Sequence, residues 1–118
     1  MFVAENLRDW RGLKVIDPDG SRIGQLEAVY VDTVSDEPSF ITVKIGMIGR
    51  HRLAFVPAEG ATVSPEAVRV RYFKKRVLDA PTIDSDGELN VEDEPDVFAY
   101  YKLEYARGSM GERRLARR

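Results

Sequence analysis

The single histidine is the first position to examine for chemistry, because a Ser–His–Asp arrangement would have to include it. His51 lies between Arg50 and Arg52. The chain has no Gly-x-Ser-x-Gly elbow, which would present a serine nucleophile beside such a histidine. We therefore expect no catalytic residue and interpret His51 as a position on a surface strand.

A short acidic run resembles the opening of a calcium loop, with the sequence Asp84-Ser85-Asp86-Gly87-Glu88. An EF-hand requires glycine at its sixth position and glutamate at its twelfth, but Leu89 and Pro95 stand there. An Asp-Gly turn explains the run instead. No glycine spacing matches a phosphate or dinucleotide loop. We predict neither a metal-binding nor a cofactor-binding residue.

Basic and aromatic residues cluster in one segment, which contains Arg69, Arg71 and Lys74 around Tyr72 and Phe73. Such mixtures contact phosphates and stack on bases in nucleic-acid-binding proteins. The net charge of −2 favours the simpler interpretation that these cations line the outer face of a strand. RNA binding through these residues is therefore an alternative that we do not favour.

Four apolar residues are candidates for contact with a protein partner. Met47 and Ile48 lie in a turn between two glycines, and Phe98 and Tyr101 lie on a predicted helix. Local packing within the domain is the competing explanation for each of them.

Composition limits the class of protein. The 118 residues suit one domain. The absence of cysteine excludes disulfides and thiolate chemistry and suits a reducing cytoplasm, where we place the chain. The first five residues lack the features of a signal peptide. No window approaches the roughly 20 apolar residues of a membrane helix, so we expect no transmembrane segment.

Six short strands are predicted between glycine- and proline-containing turns, and no helix-period segment separates them. They cover residues 13–16, 23–32, 40–45, 50–56, 62–63 and 67–72. This spacing favours a small barrel or sandwich, and a barrel would leave no open edge. The long second strand changes parity between Leu26 and Val29, which predicts a β-bulge near Glu27 and Ala28. Simple alternation through Leu26, Ala28 and Tyr30 is the competing interpretation.

The chain is divided as follows. Residues 1–11 form a lead-in, with one helical turn that packs Leu7 and Trp10 on the domain. Residues 12–101 form the domain, with barrel strands within 13–78, an acidic extended segment at 79–90 and a short helix at 91–101. Residues 102–118 are predicted to be a flexible, basic tail.

The order of several short motifs resembles the PRC-barrel family. These motifs are Val15-Ile16-Asp17-Pro18-Asp19-Gly20, Ile23-Gly24-Gln25-Leu26, Val29-Tyr30-Val31-Asp32, Phe55-Val56-Pro57 with Gly60-Ala61, Asp79-Ala80-Pro81 and Tyr100-Tyr101. The resemblance spans residues 12–101. It is greatest to free-standing members and to the cytoplasmic domain of the photosynthetic reaction-centre H subunit.

The resemblance implies a six-stranded, SH3-like β-barrel that is not an enzyme and binds other proteins. It fixes no catalytic or cofactor residue. Free-standing members are often homodimers, so we expect a homodimeric adaptor or regulatory protein. The alternatives are a ribosome- or RNA-associated accessory protein, since a ribosome-maturation factor carries this domain, and an accessory of membrane electron-transfer machinery.

Overall fold

A computed structural model describes residues 7–106 and 112–118, and the protein is mainly β, as predicted. The strands in these residues are β1 (Lys14–Ile16), β2 (Arg22–Asp32), β3 (Pro38–Ile45), β4 (Arg52–Pro57), β5 (Thr62–Val63), β6 (Ala67–Arg69), β7 (Thr82–Asp84) and β8 (Leu115–Arg117). The helices are α1 (Leu7–Trp10), α2 (Lys74–Leu78) and α3 (Glu94–Tyr100), and a 3-10 turn (Val91–Asp93) precedes α3. Within the same residues, no helix has the length and apolar character of a membrane span.

The strands form one sheet in the order β5-β6-β1-β2-β3-β4-β7, and β8 pairs with β2 off this path. Only β1 and β6 run parallel among these pairs. The strand order begins at β5 and ends at β7, and no pairing joins these two strands in the described residues. The six predicted strands are all present, but β7 and β8 add to them, and a closed six-stranded barrel is not confirmed.

The predicted bulge in β2 is confirmed. Leu26 pairs with Val43 and Ala28 pairs with Thr42, so Glu27 is the extra residue. The bulge brings Leu26 and Val29 to the same side of the sheet, where both are buried. Ala28 and Tyr30 are buried as well, because the other side of the sheet is also covered beyond the bulge.

One side of the sheet packs around the first core, which contains the only tryptophan of the chain. Trp10, from α1, is buried there with residues of β1, β2, β3 and β4 and with Val77 of α2. The predicted packing of the lead-in through Trp10 is thus confirmed, while the side chain of Leu7 lies outside the described residues. Helix α2 is not among the predicted elements, because the last predicted strand ends at residue 72 and the acidic extended segment begins at residue 79.

The opposite side of β2, β3 and β4 packs in the second core, which is largely aromatic. Tyr30, Phe40 and Phe55, one from each strand, meet Phe98 and Tyr101 near the end of α3. The ring centroids of Tyr30 and Phe55 are 5.1 Å apart, as are those of Phe40 and Phe98, and both pairs meet edge to face. Such aromatic pairs stabilise the fold by more than their buried area alone accounts for. They attach α3 to this side of the sheet, which it covers.

The prediction of a frayed tail is wrong for residues 112–118. Leu115 is 1% exposed and belongs to the second core. The strand β8 that contains it pairs with the end of β2, from Tyr30 to Asp32. Residues 107–111 of the predicted tail lie outside the described residues.

Candidate functional site

The turn between β3 and β4 presents the two most exposed large apolar side chains of the described residues. Met47 is 78% exposed and Ile48 is 95% exposed. Their exposure follows from the turn: Gly46 has a φ of +93°, and a Cβ there would lie 2.7 Å from the carbonyl oxygen of Arg50. The backbone N–H of Arg50 donates to the carbonyl of Met47 at 2.8 Å. Residues 46–49 therefore form a hydrogen-bonded loop, called here the apolar loop.

Positive charge surrounds the apolar loop. Lys44 precedes the loop on β3, and Arg50, which is exposed, follows it. Lys44 also lines an open groove of about 370 Å³ with Arg22 and His51. His51 is half-buried immediately before β4 rather than within a strand. This side of the molecule is apolar at the tip of the loop and cationic at its base.

A second groove, of about 270 Å³, has the opposite charge. Its apolar lining includes Ile83, Leu89 and Val97, and Asp93 and Asp96 contribute carboxylates. We call it the acidic groove. Both aspartates are exposed near the start of α3, whereas Leu89 and Val97 are almost fully buried, so the accessible surface of the groove is mainly polar and negative.

Phe98 and Tyr101 are not part of an exposed apolar surface. They are 8% and 4% exposed and lie in the second core. The Tyr101 hydroxyl donates to the Phe55 carbonyl at 2.6 Å, and burial raises its pKa above the usual tyrosine value. Local packing, the competing explanation, accounts for both residues.

The three cations of the possible RNA site have different surroundings. Arg69 Nη1 donates to the carbonyls of Asp17 and Pro18 at 3.1 and 3.0 Å, so it holds the turn before β2. Arg71 forms an exposed pair with Glu59 at 3.4 Å. Lys74 contributes its backbone N–H to the Asp17 carboxylate. Arg69 thus holds the turn through its side chain, whereas Lys74 contributes only its backbone N–H and its side chain is exposed.

The residues of the supposed calcium loop form a turn, as predicted. Asp84 ends β7, and the N–H of Gly87 donates to the Asp84 carbonyl at 2.9 Å. The Asp84 carboxylate pairs with Arg52 at 3.0 Å. Among residues 7–106 and 112–118, no three histidine, aspartate or glutamate side chains cluster as metal ligands do.

Sequence reasoning missed the site that holds residues 112–118. Glu94 is fully buried, and its carboxylate accepts the backbone N–H groups of Arg114 and Leu115 at 2.9 and 3.0 Å. The sequence did contain a signal: Leu115 is the one large apolar residue in a run of arginines, and an acidic run of opposite charge lies upstream.

Taken together, the bent sheet and its two cores define a small, mainly β domain that carries the apolar loop and the two grooves on its surface. The profile of the PRC-barrel domain matches residues 2–78, and the chain belongs to the PRC-barrel domain family. Domains of this type are non-enzymatic protein-interaction modules. No curated protein sequence is similar enough to count as a relative. The match contains α1, β1 to β6 and α2, whereas β7, α3 and β8 lie outside it.

Proposed function

We propose that the chain is a non-catalytic protein-binding module that forms a homodimer through its apolar loop and acts as an adaptor or regulatory protein. The observation that carries the proposal is the exposure of Met47 and Ile48. Apolar side chains that a stable turn holds in water gain from burial in a partner. Full burial of one such side chain contributes about 1.5–3 kcal/mol.

Charge complementarity supports a second copy of the chain as the partner. The apolar loop lies between two cations, Lys44 and Arg50. The acidic groove combines an apolar lining with the carboxylates of Asp93 and Asp96. Insertion of the loop of one copy into the acidic groove of another would bury the apolar tip and bring opposite charges together, which favours correct orientation.

The test is the mass of the particle in solution, measured by light scattering across a range of concentrations. We expect a dimer for the natural chain and a monomer for Met47→Asp/Ile48→Asp, because a buried carboxylate without a partner is costly. Val34→Asp is the matched control, since Val34 is 67% exposed on a different loop. It should leave the dimer intact. A monomeric natural chain, or a dimer unaffected by the double substitution, would refute the proposal.

A charge exchange tests the acidic groove as the counterpart of the loop. Asp93→Lys/Asp96→Lys should weaken the dimer, and so should Lys44→Glu/Arg50→Glu. Mixing the two variants should restore association, because each then offers the charge that the other lacks. If the mixture stays monomeric, the loop binds a different surface.

A further inference from the structure

Residues 112–118 are bound by their main chain, as a peptide is bound in β-augmentation. The N–H of Arg118 donates to the Val29 carbonyl at 2.8 Å, and the N–H of Thr33 donates to the Arg114 carbonyl at 2.9 Å. Between these two bonds, β8 runs antiparallel to the end of β2. The backbone of β2 therefore supplies a template for an extended strand.

Two features of this site recognise the middle of the strand. The Glu94 carboxylate is fully buried and accepts two adjacent backbone N–H groups, those of Arg114 and Leu115. It also accepts the hydroxyl of Tyr105 at 2.6 Å. The side chain of Leu115 enters the second core. A buried carboxylate that binds main-chain N–H groups can bind a strand of any sequence. The pocket for Leu115, by contrast, selects strands that carry a leucine at this position.

Four acidic side chains surround the strand and meet its four arginines. Arg113 pairs with Glu88 at 2.7 Å, Arg114 with Asp32 at 2.7 Å, Arg117 with Glu27, and Arg118 with Asp36 at 3.1 Å. The Asp32 carboxyl is partly buried, which acts to raise its pKa. The N–H groups of Val34 and Ser35 together with Arg114 outweigh this effect, and the pKa of Asp32 lies below its ordinary value.

We propose that this site is a strand groove that binds an extended Arg-Arg-Leu-x-Arg peptide, and that a second copy of the chain can supply this peptide in trans. The strand groove is defined by the end of β2 together with Glu94, Glu88, Asp32 and Glu27. The contacts that define the groove join residues 113–117 to β2, Glu88 and Glu94, so the same contacts can form within one chain or between two. Exchange of an identical element is a low-cost route to a dimer.

The balance between the two arrangements follows from effective concentration. The strand of the same chain competes as an intramolecular ligand, whose effective concentration is on the order of millimolar. A strand from another copy enters the groove when the chain's own strand fits badly or when the protein is concentrated. This association is independent of the apolar loop.

The first experiment measures binding of a fluorescent peptide with the sequence of residues 112–118. Full chains with Met47→Asp/Ile48→Asp are the background, so that loop-mediated dimers do not contribute. In this background, Leu115→Asp spoils the chain's own strand and leaves the groove intact. We expect it to bind the peptide at least about tenfold more tightly than the background chain, whose groove is occupied. Adding Glu94→Gln should abolish the gain, and a peptide carrying Leu115→Asp should not bind.

The second experiment tests a second copy as the donor. The Leu115→Asp chain has a free groove, and the Glu94→Gln chain has an intact strand but an impaired groove. Mixed in the same background, they should form a one-to-one heterodimer in native mass spectrometry. The matched control replaces the Leu115→Asp chain by the Glu94→Gln/Leu115→Asp chain, which should form none.

If Leu115→Asp does not fold, as circular dichroism would show, isotope mixing decides the question. Unlabelled and ¹⁵N-labelled background chains are concentrated together, warmed below their unfolding midpoint and cooled. Dimers of intermediate mass support the proposal. Absence of such dimers, or equal peptide binding with and without Glu94→Gln, overturns it.

Discussion

A single buried carboxylate, that of Asp17, links parts of the chain that are distant in sequence. Its Oδ1 accepts the N–H groups of Asp19 and Ser21, both at 2.9 Å, and its Oδ2 accepts the N–H of Lys74 at 3.0 Å. Burial acts to raise the pKa of Asp17, but these three donors and the nearby Arg69 outweigh it, and the pKa lies below its usual value. The turn before β2 and the start of α2 are thereby fixed to each other.

This depressed pKa makes stability depend on pH in a defined direction. An unfolded chain protonates Asp17 near the ordinary value of about 3.9, while the folded chain protonates it only at lower pH. Between these values the unfolded state binds more protons, so stability falls as the pH falls. We expect Asp17→Asn to lower the urea midpoint at neutral pH, because an amide has one acceptor oxygen and its NH2 group would face a backbone N–H that the carboxylate accepts. Below about pH 4, the urea midpoint of Asp17→Asn should fall less steeply than that of the natural chain.

The control for this prediction is Asp19→Asn, which changes the same charge at an exposed position of the same turn. It should leave the urea midpoint at neutral pH, and the decline of that midpoint at acid pH, close to those of the natural chain. If the midpoint of Asp17→Asn declines at acid pH as steeply as that of the natural chain, Asp17 is not a source of the pH dependence.

At the scale of elements, the close approach of β2 and β3 depends on a missing side chain. A Cβ at Gly24 would lie 2.1 Å from the carbonyl oxygen of Lys44 and 2.9 Å from Cγ1 of Val43. Real atoms do not approach so closely, so the strands would have to separate where the sheet is most extensively paired. Gly24 belongs to the Ile23-Gly24-Gln25-Leu26 motif, and this contact gives a physical reason for its glycine.

We expect Gly24→Ala to lower the free energy of unfolding by about 1–3 kcal/mol, as overpacking of a filled site does. Chemical denaturation provides the measurement. Gly87→Ala is the matched control, because a Cβ there would meet its nearest neighbour, the Asp84 carbonyl oxygen, at 3.4 Å. The two variants should differ clearly. Equal stability would mean that β2 and β3 adjust without cost.

The elements that sequence predicted are those with strong local signals. Each of the strands β1 to β6 either shows alternating apolar and polar residues or lies between turn residues. The change of parity after Leu26 located the bulge. Helix α2 and strand β8 have little local signal, because each buries a single residue, Val77 and Leu115 respectively. Their stability comes from partners elsewhere in the chain, including Asp17 and Glu94. No local pattern encodes those contacts.

The candidate contact residues divide in the same way. Met47 and Ile48 lie in a short turn between two glycines, a local signal that favoured their exposure although local packing was the alternative. Whether Phe98 and Tyr101 are exposed or buried depends on whether α3 packs on the side of β2, β3 and β4 that faces away from the first core. Burial of Tyr30 on that face, which simple alternation along β2 had allowed, is the feature that decides it.

At the scale of the whole molecule, the two cores share the central strands. On β3, Ile41 and Val43 face the first core, whereas Phe40 faces the second. On β4, Val56 and Phe55 divide in the same way. Because each strand contributes to both cores, loosening one core moves the backbone of the other. The part of the chain outside the family match is thus mechanically joined to the part inside it.

This sharing predicts that the domain unfolds as one unit even when the perturbation lies in the second core. Tyr101→Phe removes the hydroxyl that donates to the Phe55 carbonyl and should lower the free energy of unfolding by about 1–2 kcal/mol. Trp10, in the first core, is the only tryptophan, so its fluorescence reports on the opposite side of the sheet. The unfolding midpoints followed by Trp10 fluorescence and by far-ultraviolet circular dichroism should fall by the same amount.

Tyr72→Phe is the matched control, since the described residues offer its hydroxyl no hydrogen bond although its ring packs against Tyr101 at 4.8 Å. It should shift both midpoints much less. A Tyr101→Phe chain in which circular dichroism shows an earlier, separate transition while the Trp10 midpoint stays unchanged would contradict the single unit. In that case α3 would be an independent cover rather than part of the cooperative fold, and the strand groove that depends on Glu94 would open without unfolding the sheet.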